Sequence, residues 1–270
     1  MSNGARVNNF TNDEYSLKGQ VALVTAGARG LGRGIALELA KCGADVWIWD
    51  SDEAALINMK EEFASQGYQI GIAMLDLVDP ILLREAYEKL LQETLPPQIL
   101  VNNAGGSLHT PFRFLEESDD DWNRLIDLNL MTTVRLCRLV LPGMVSANYG
   151  RIVNLGSKAG RYGSLFAGAN YVAVKGAIHS LTLQLAQEFG PHGITVNAVC
   201  PGAIMTERVR GLLSERQTPV ERERILKEIP VRRHGEVDDV SRTVRFLVSK
   251  NASFITGSLI DINGGQVMST

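Results

Sequence analysis

Tyr171 and Lys175 lie four positions apart in a stretch whose apolar residues, Ala167, Val174, Ile178, Leu181 and Leu185, recur at helical spacing. Both side chains therefore project from one face of one helix. A free phenol titrates at about 10 and is a poor base near neutrality, but an ammonium about 4 Å away at an effective dielectric of about 20 is worth about 4 kcal/mol, up to roughly three pKa units. The pair is a candidate acid/base couple. Taken alone the spacing is weak, because helices carry Tyr and Lys four apart by chance.

A second constellation is built for phosphate. Thr25-Ala26-Gly27-Ala28-Arg29-Gly30-Leu31-Gly32 follows an apolar run and leads into the helical pattern Arg33 to Lys41. Glycines let a backbone turn tightly and approach a pyrophosphate, whose charge is favoured by the N–H groups and dipole of a helix start. A purely structural tight turn is the other reading. The next apolar run ends in Asp50, twenty residues beyond Gly30, where a carboxylate can accept both adenosine-ribose hydroxyls and repel a 2′-phosphate. That favours NAD over NADP. Arg29 argues the other way, since its guanidinium could pair with a 2′-phosphate. Asp50 could instead cap a helix beginning near Glu53, a task Ser51 or Asp52 could also perform.

These residues need elements to hold them. Short β-branched runs recur at 21–25, 45–49, 69–75, 98–102, 151–156, 194–199 and 258–262, separated by stretches of helical period. Near-continuous apolar strands with crossover helices imply a parallel sheet buried on both faces, an α/β, single-domain, doubly wound (Rossmann) architecture of seven strands. The chain has 270 residues, 45% apolar and 21% charged, enough for one large core. Residues 1–17 read as a polar arm rather than a secretion signal, with the catalytic domain over 18–270. The Arg- and Glu-rich stretch within 203–235 reads as a mobile helical lid. Arg208, Arg210, Arg216, Arg222 and Arg224 hint at an anionic substrate, but the interleaved Glu207, Glu215, Glu221 and Glu223 favour a solvated charged helix.

Twenty-seven basic against thirty acidic side chains give a net charge of −3, which supplies no broad attraction to nucleic acid or anionic lipid. A long charge-free run, Phe189 to Thr206, is broken by Gly and Pro, so no membrane span is expected. Cys42, Cys137 and Cys200 are odd in number, far apart and set in apolar stretches, which suits a reducing cytoplasm. His109, His179, His192 and His234 are dispersed, so no metal site is expected and they read as structural or surface residues, with a substrate contact as the alternative for His109, which follows the fourth strand. Trp47 and Trp49 read as core.

With these residues in view the sequence resembles the short-chain dehydrogenase/reductase family, of the compact type, over about Lys18 to Met268. The matching motifs appear in family order: the glycine turn, Asp76-Leu77, Asn102-Asn103-Ala104-Gly105, Asn129, Ser157, Tyr171-Val172-Ala173-Val174-Lys175, and Pro201-Gly202 with Thr206. Two departures stand out. Ala26 occupies the place after Thr25 where the family has Gly, and Ser157 precedes Tyr171 by fourteen residues rather than thirteen, which requires one extra loop residue and leaves Ser164 as the alternative serine.

The resemblance implies a set of roles. Tyr171 is the acid/base, Ser157 hydrogen-bonds the same substrate oxygen, Lys175 also binds the nicotinamide ribose, and Asn129 keeps a water chain to Lys175 open. Gly27, Arg29, Gly30, Leu31, Gly32 and Asp50 meet the phosphates and adenosine. Asp76 and Leu77 lie near the adenine, and Asn102, Asn103, Ala104 and Gly105 border the cofactor and steady the sheet. Pro201, Gly202, Ile204 and Thr206 shape the nicotinamide end. The implied activity is hydride transfer between NAD(H) and a small-molecule secondary alcohol or ketone. A 3-oxoacyl-thioester reductase using NADP(H), a polyol, sugar or cyclic-alcohol dehydrogenase, and a non-catalytic dinucleotide sensor are the alternatives. A homotetramer or homodimer is implied, paired through helices around Asp120–Val145 and Leu165–Phe189 and through 256–265.

Overall fold

The computed structural model describes residues 15–268 except Leu165 and Gln217, and leaves aside the side chains at 208, 212–214, 216 and 219. Most of the expected arm, and the side chains of Arg208 and Arg216 in the expected lid, thus lie outside what is described. Strands and helices alternate as β1 (Val21–Thr25), α1 (Gly30–Lys41), β2 (Asp45–Asp50), α2 (Glu53–Ser65), β3 (Ile70–Met74), α3 (Pro80–Glu93) and β4 (Ile99–Asn102). A long helical run follows, made of α4 (Asp119–Leu125), a π-helical turn (Ile126–Met131) and α5 (Thr132–Ala147). The chain continues through β5 (Gly150–Leu155), the short α6 (Ala159–Tyr162), α7 (Ala169–Phe189), β6 (Ile194–Pro201), α8 (Glu207–Arg216), α9 (Pro219–Glu228), α10 (Val237–Val248) and β7 (Leu259–Ile262).

The seven strands form one parallel sheet ordered β3-β2-β1-β4-β5-β6-β7. Alternation along each strand splits the core in two. Ala22 and Val24 of β1, with Val46 and Ile48 of β2, pack against Ile35 and Leu39 of α1 and Val240 and Val244 of α10. Val21 and Leu23, with Trp47 and Trp49, face Leu83 and Leu90 of α3 and Leu136 and Val140 of α5. Gly71 pairs with Trp47 across β2 and β3, and a Cβ there would fall 2.3 Å from the indole, so glycine makes room for the ring. Order reverses between β1 and β4, and such a switch point opens a crevice at the carboxyl ends of the strands.

The helix starts follow from their caps. Asp52 Oδ1 accepts from Ala55 N at 2.9 Å and caps α2, so the capping alternative for Asp50 falls to its neighbour. Asp79 caps α3 with Pro80 in its first turn, and Ser118 with Asp121 closes a capping box on α4. Where one helix is expected around Asp120–Val145, the run is widened by the π turn. Side chains take carbonyls there: Asn129 Nδ2 donates to Leu125 O (3.1 Å), Thr132 Oγ1 to Asp127 O (3.0 Å) and Thr133 Oγ1 to Asn129 O (2.9 Å). This run, Asp119–Ala147, is long and apolar enough to cross a bilayer by length and composition, and α5 spends its apolar face on β4 and β5. The second expected helix begins later, at Ala169, after Gly168 in extended backbone, and α6 ends before it at Gly163, whose φ is +74°.

Candidate active site

A cleft of about 630 Å³ opens at the carboxyl ends of the strands. It is lined by most of the residues singled out in the sequence: Arg29, Gly30, Leu31, Asp50, Asn103 and Gly105 toward one end, and Ser157, Tyr171, Lys175, Pro201, Gly202, Ile204 and Thr206 toward the other. Ala26, Gly106, Leu155, Glu207 and Val209 complete the lining. Gly27, Gly32, Asp76, Leu77, Ala104 and Asn129 stand outside it.

At the glycine turn, Ala26 does what the missing glycine would do, at φ +48°, a left-handed conformation that costs a side chain some strain. It is held there by Ala26 N to Trp49 O (2.7 Å) and by Asn103 Nδ2, which donates to Thr25 O (3.0 Å) and Ala26 O (2.9 Å). Gly32 lets α1 press against the turn, since a Cβ there would stand 2.4 Å from Ala26 O. Gly27 likewise faces Ile48. These two are packing positions, whereas Gly30 and Leu31 reach the cleft. No side chain caps α1, so its first N–H groups remain available to an anion.

Asp50 closes this end. Its Oδ2 accepts from Ala28 N (3.0 Å) and its Oδ1 from Asp52 N (3.1 Å), which aims the carboxylate from the end of β2. Arg29 is engaged by Asp52 through Nε (3.1 Å) and Nη2 (2.7 Å), and both side chains are open to solvent, at 67% and 40% exposure. The Asp52 carboxyl is held below its ordinary range by the Ala55 N–H first and by Arg29 second. Beyond β3, Asp76 is exposed and accepts from Val78 N (3.0 Å), while Leu77 is buried and offers its carbonyl to Thr132 (3.1 Å).

The other end is buried and dense with hydrogen bonds. Tyr171 lies in the first turn of α7 and Lys175 one turn on, with Nζ 5.8 Å from the phenol ring centre. Lys175 is 4% exposed and donates to Leu155 O at 2.7 Å. Ser157 follows β5, and its Oγ accepts from Ala159 N (3.1 Å), which fixes the oxygen and leaves its proton for a partner in the cleft. Ser164, the alternative serine, bonds its own loop at Phe166 N and does not line the cleft. Asn129 is buried in the π turn and grips one backbone unit from both sides, accepting from Gly106 N (3.0 Å) and donating to Gly106 O (3.1 Å). Gly105, at φ +147°, runs between Asn129 and Lys175, and a Cβ there would meet Asn129 Oδ1 at 2.5 Å.

Three groups near the site escaped the sequence reading. His179, one turn after Lys175, is buried and accepts from Ser157 N (3.4 Å), with Cys200 Sγ 3.3 Å from the same nitrogen. Burial first, and the Lys175 ammonium second, push its pKa down to about 4, so it is neutral near pH 7. Burial pushes the Cys200 thiol up to about 12. Asn170 is the second residue of α7, and Glu117 reaches the helix start from the loop before α4. Period alone could not find any of them, because a polar residue at a core-facing helical position, as His179 and Asn170 are, reads like any other break in the apolar stripe, and Glu117 sits in a loop with no period to read. His109, at φ +56°, is exposed and does not line the cleft. Among the described residues no group of His, Cys, Asp and Glu could hold a metal.

In the stretch expected as a lid, Glu207 and Val209 of α8 line the cleft. On α9 the charges pair among themselves, Lys227 with Glu223 (2.9 Å) and Arg224 with Glu228 (3.7 Å), as a solvated helix would.

Residues 25–266 match the family model described as Enoyl-(Acyl carrier protein) reductase. The chain is 37% identical over 255 residues to a 3-oxoacyl-[acyl-carrier-protein] reductase of Pseudomonas aeruginosa, covering 94% of this chain and all of that enzyme. It is 38% identical to a 2,3-dihydroxy-2,3-dihydro-p-cumate dehydrogenase of Pseudomonas putida, covering 93% and 96%. The structure superposes on a 3-oxoacyl-[acyl-carrier protein] reductase with bound NAD from Brucella melitensis with a TM-score of 0.87 at 32% identity, over 100% of this chain and 99% of that one. With the sheet order, the glycine turn and the Tyr171–Lys175 helix, these likenesses show that the chain belongs to the short-chain dehydrogenase/reductase family, a family of nicotinamide-dependent oxidoreductases.

Proposed function

We propose that the protein transfers hydride between NAD(H) and a secondary alcohol or ketone, with Tyr171 as acid/base. The carrying observation is that one cleft is lined both by Gly30, Leu31 and Asp50 and by Ser157, Tyr171 and Lys175. The residues fit a nicotinamide dinucleotide: the uncapped start of α1 meets the cleft at Gly30 and Leu31, and the Asp50 carboxylate stands at the same end. Gly30, Leu31 and Thr206 would hold the phosphates, Asp50 the adenosine ribose, Asn103 and Gly105 the middle, and Pro201, Gly202 and Ile204 the nicotinamide. When bound, that group supplies or accepts the hydride.

The chain's own residues manage the proton. In reduction Tyr171 donates to the carbonyl oxygen as it becomes an alcohol, and in oxidation it removes that proton. Ser157, its oxygen fixed by Ala159 N, donates to the same substrate oxygen and steadies it as charge develops. Lys175, anchored to Leu155 O, keeps a positive charge beside the phenol, which favours the phenolate. Asn129 holds the Gly105–Gly106 backbone against Lys175, where a water path to the ammonium would run.

Asp50 at the strand end, together with the pairing of Arg29 to Asp52, supports NAD over NADP. The relatives' names favour a second reading within the class, a 3-oxoacyl-thioester reductase. The three free cysteines suit a reducing compartment. A homodimer or homotetramer would cover the part-buried edge strand β7 and the fully exposed Phe254. NADH oxidation with acetoacetyl-CoA, and NAD reduction with sorbitol and with cyclohexanol, tests the reading. Turnover of one of them, lost in Tyr171→Phe with NADH binding intact, supports it; tight NADH binding without turnover of any points to a sensor.

A further inference from the structure

We infer that Glu117, in the loop between β4 and α4, is a positioning residue that caps α7 and so sets where Tyr171 stands; this rests on the reading of Tyr171 as the acid/base. The helix carrying Tyr171 starts at Gly168, which has no side chain with which to cap it. Its first N–H groups therefore need an acceptor from elsewhere. Glu117 comes from 53 positions earlier and supplies one: its Oε2 accepts from Asn170 N at 3.2 Å. Its Oε1 is buried without a hydrogen-bond partner, and a Cβ on Gly168 would lie 2.3 Å from it. The carboxylate thus occupies the space where a capping side chain on residue 168 would begin, and a negative charge at a helix N-terminus is favoured by the helix dipole.

A second tie runs through the next residue. Asn170 is completely buried; its Oδ1 accepts from Tyr171 N (2.6 Å), and its Nδ2 donates to Thr110 Oγ1 (3.4 Å). Thr110 Oγ1 in turn donates to Ser107 O (3.0 Å). The loop after β4 therefore grips the first turn of α7 twice, at the backbone and at the side chain of Asn170, directly before the reactive phenol. A long helix is rigid along its axis, so its first turn is where looseness would show. Freed from the cap, that turn frays and the phenol loses the fixed placement on which proton transfer depends.

The test compares Glu117→Ala, Glu117→Gln and Glu117→Asp with the native chain. Glutamine keeps an oxygen at the same reach, aspartate keeps the charge but falls short, and alanine loses both. Amide hydrogen exchange over 167–174 should quicken at least tenfold in Glu117→Ala, stay near native in Glu117→Gln and fall between in Glu117→Asp, with β6 unchanged. With the fastest substrate of the panel above, Glu117→Ala should lower kcat about tenfold and leave the KM for NADH within twofold, while Glu117→Gln keeps most of the rate. Native exchange in Glu117→Ala, native kcat despite a loosened turn, or equal losses in the Ala and Gln variants would each overturn the inference. Should Glu117→Ala not fold, Glu117→Asp is read against Glu117→Gln by the same criteria. Failure of the underlying reading looks different: Tyr171→Phe would then keep its rate, or the native chain would turn over nothing.

Discussion

At the Tyr171 end of the cleft the polar groups are buried and bonded to backbone from separate elements: Lys175 to Leu155, Asn129 to Gly106, His179 to Ser157. At the Asp50 end they meet water, and the Arg29–Asp52 pair is largely exposed. On the proposed function the difference separates two tasks. Proton transfer demands placement to a fraction of an ångström, which burial and backbone partners enforce. Choosing between two coenzymes that differ by a phosphate demands only a charge in the right place, which the half-buried Asp50 carboxylate would supply from the end of β2. Substitutions at the first end should therefore cost much, and at the second should tune.

The largest effect is expected from Tyr171→Phe, which should reduce turnover about a thousandfold, within the range of a lost general acid/base, and leave the Kd for NADH within twofold. Loss of binding together with turnover would mean that the phenol holds coenzyme rather than moving a proton.

Next comes His179. Its folded pKa of about 4 lies below the unfolded value of 6.5, so protonation favours the unfolded chain. Neutral His179 contributes fully above about pH 6.5, and roughly 3 kcal/mol is lost as pH falls toward 4. Urea unfolding at pH 7.5 and 4.5 should show a smaller acid loss in His179→Gln than in the native chain. Equal losses would place the acid sensitivity elsewhere.

At the tuning end, Asp50→Ser should raise the NADPH-to-NADH ratio of kcat/KM about tenfold, from removing one charge near the 2′ position. Asp52→Asn keeps a good helix cap and frees Arg29, and should raise the same ratio only a fewfold, because exposed ion pairs are worth about 0.2–1 kcal/mol. If Asp52→Asn outdid Asp50→Ser, the guanidinium rather than the strand-end carboxylate would set coenzyme choice.

The same contrast explains what could be read without coordinates. Strands such as VALVT and ITVNAV declare themselves because both faces are buried, and the glycine turn because so few residues tolerate its backbone. Asp50 was legible because it ends a strand at a fixed distance from that turn. Glu117, Asn170 and His179 were not, since each acts through a contact with a residue far along the chain: Glu117 with Asn170, Asn170 with Thr110, His179 with Ser157. The π turn was also hidden, because it depends on Asn129, Thr132 and Thr133 satisfying carbonyls rather than on any change in apolar period. Gly27 and Gly32 were legible as glycines but not as packing positions, a distinction only the neighbours Ile48 and Ala26 make.

A crystal structure of the chain soaked with NAD bears most directly on the central claim, that one cleft brings coenzyme and phenol together. The expected density has the pyrophosphate against Gly30 and Leu31, the adenosine ribose on Asp50, and the nicotinamide ring beside the Tyr171 hydroxyl with Lys175 on the adjoining ribose. Nucleotide bound elsewhere, or bound here with the Tyr171 hydroxyl turned out of reach of the ring, would contradict it.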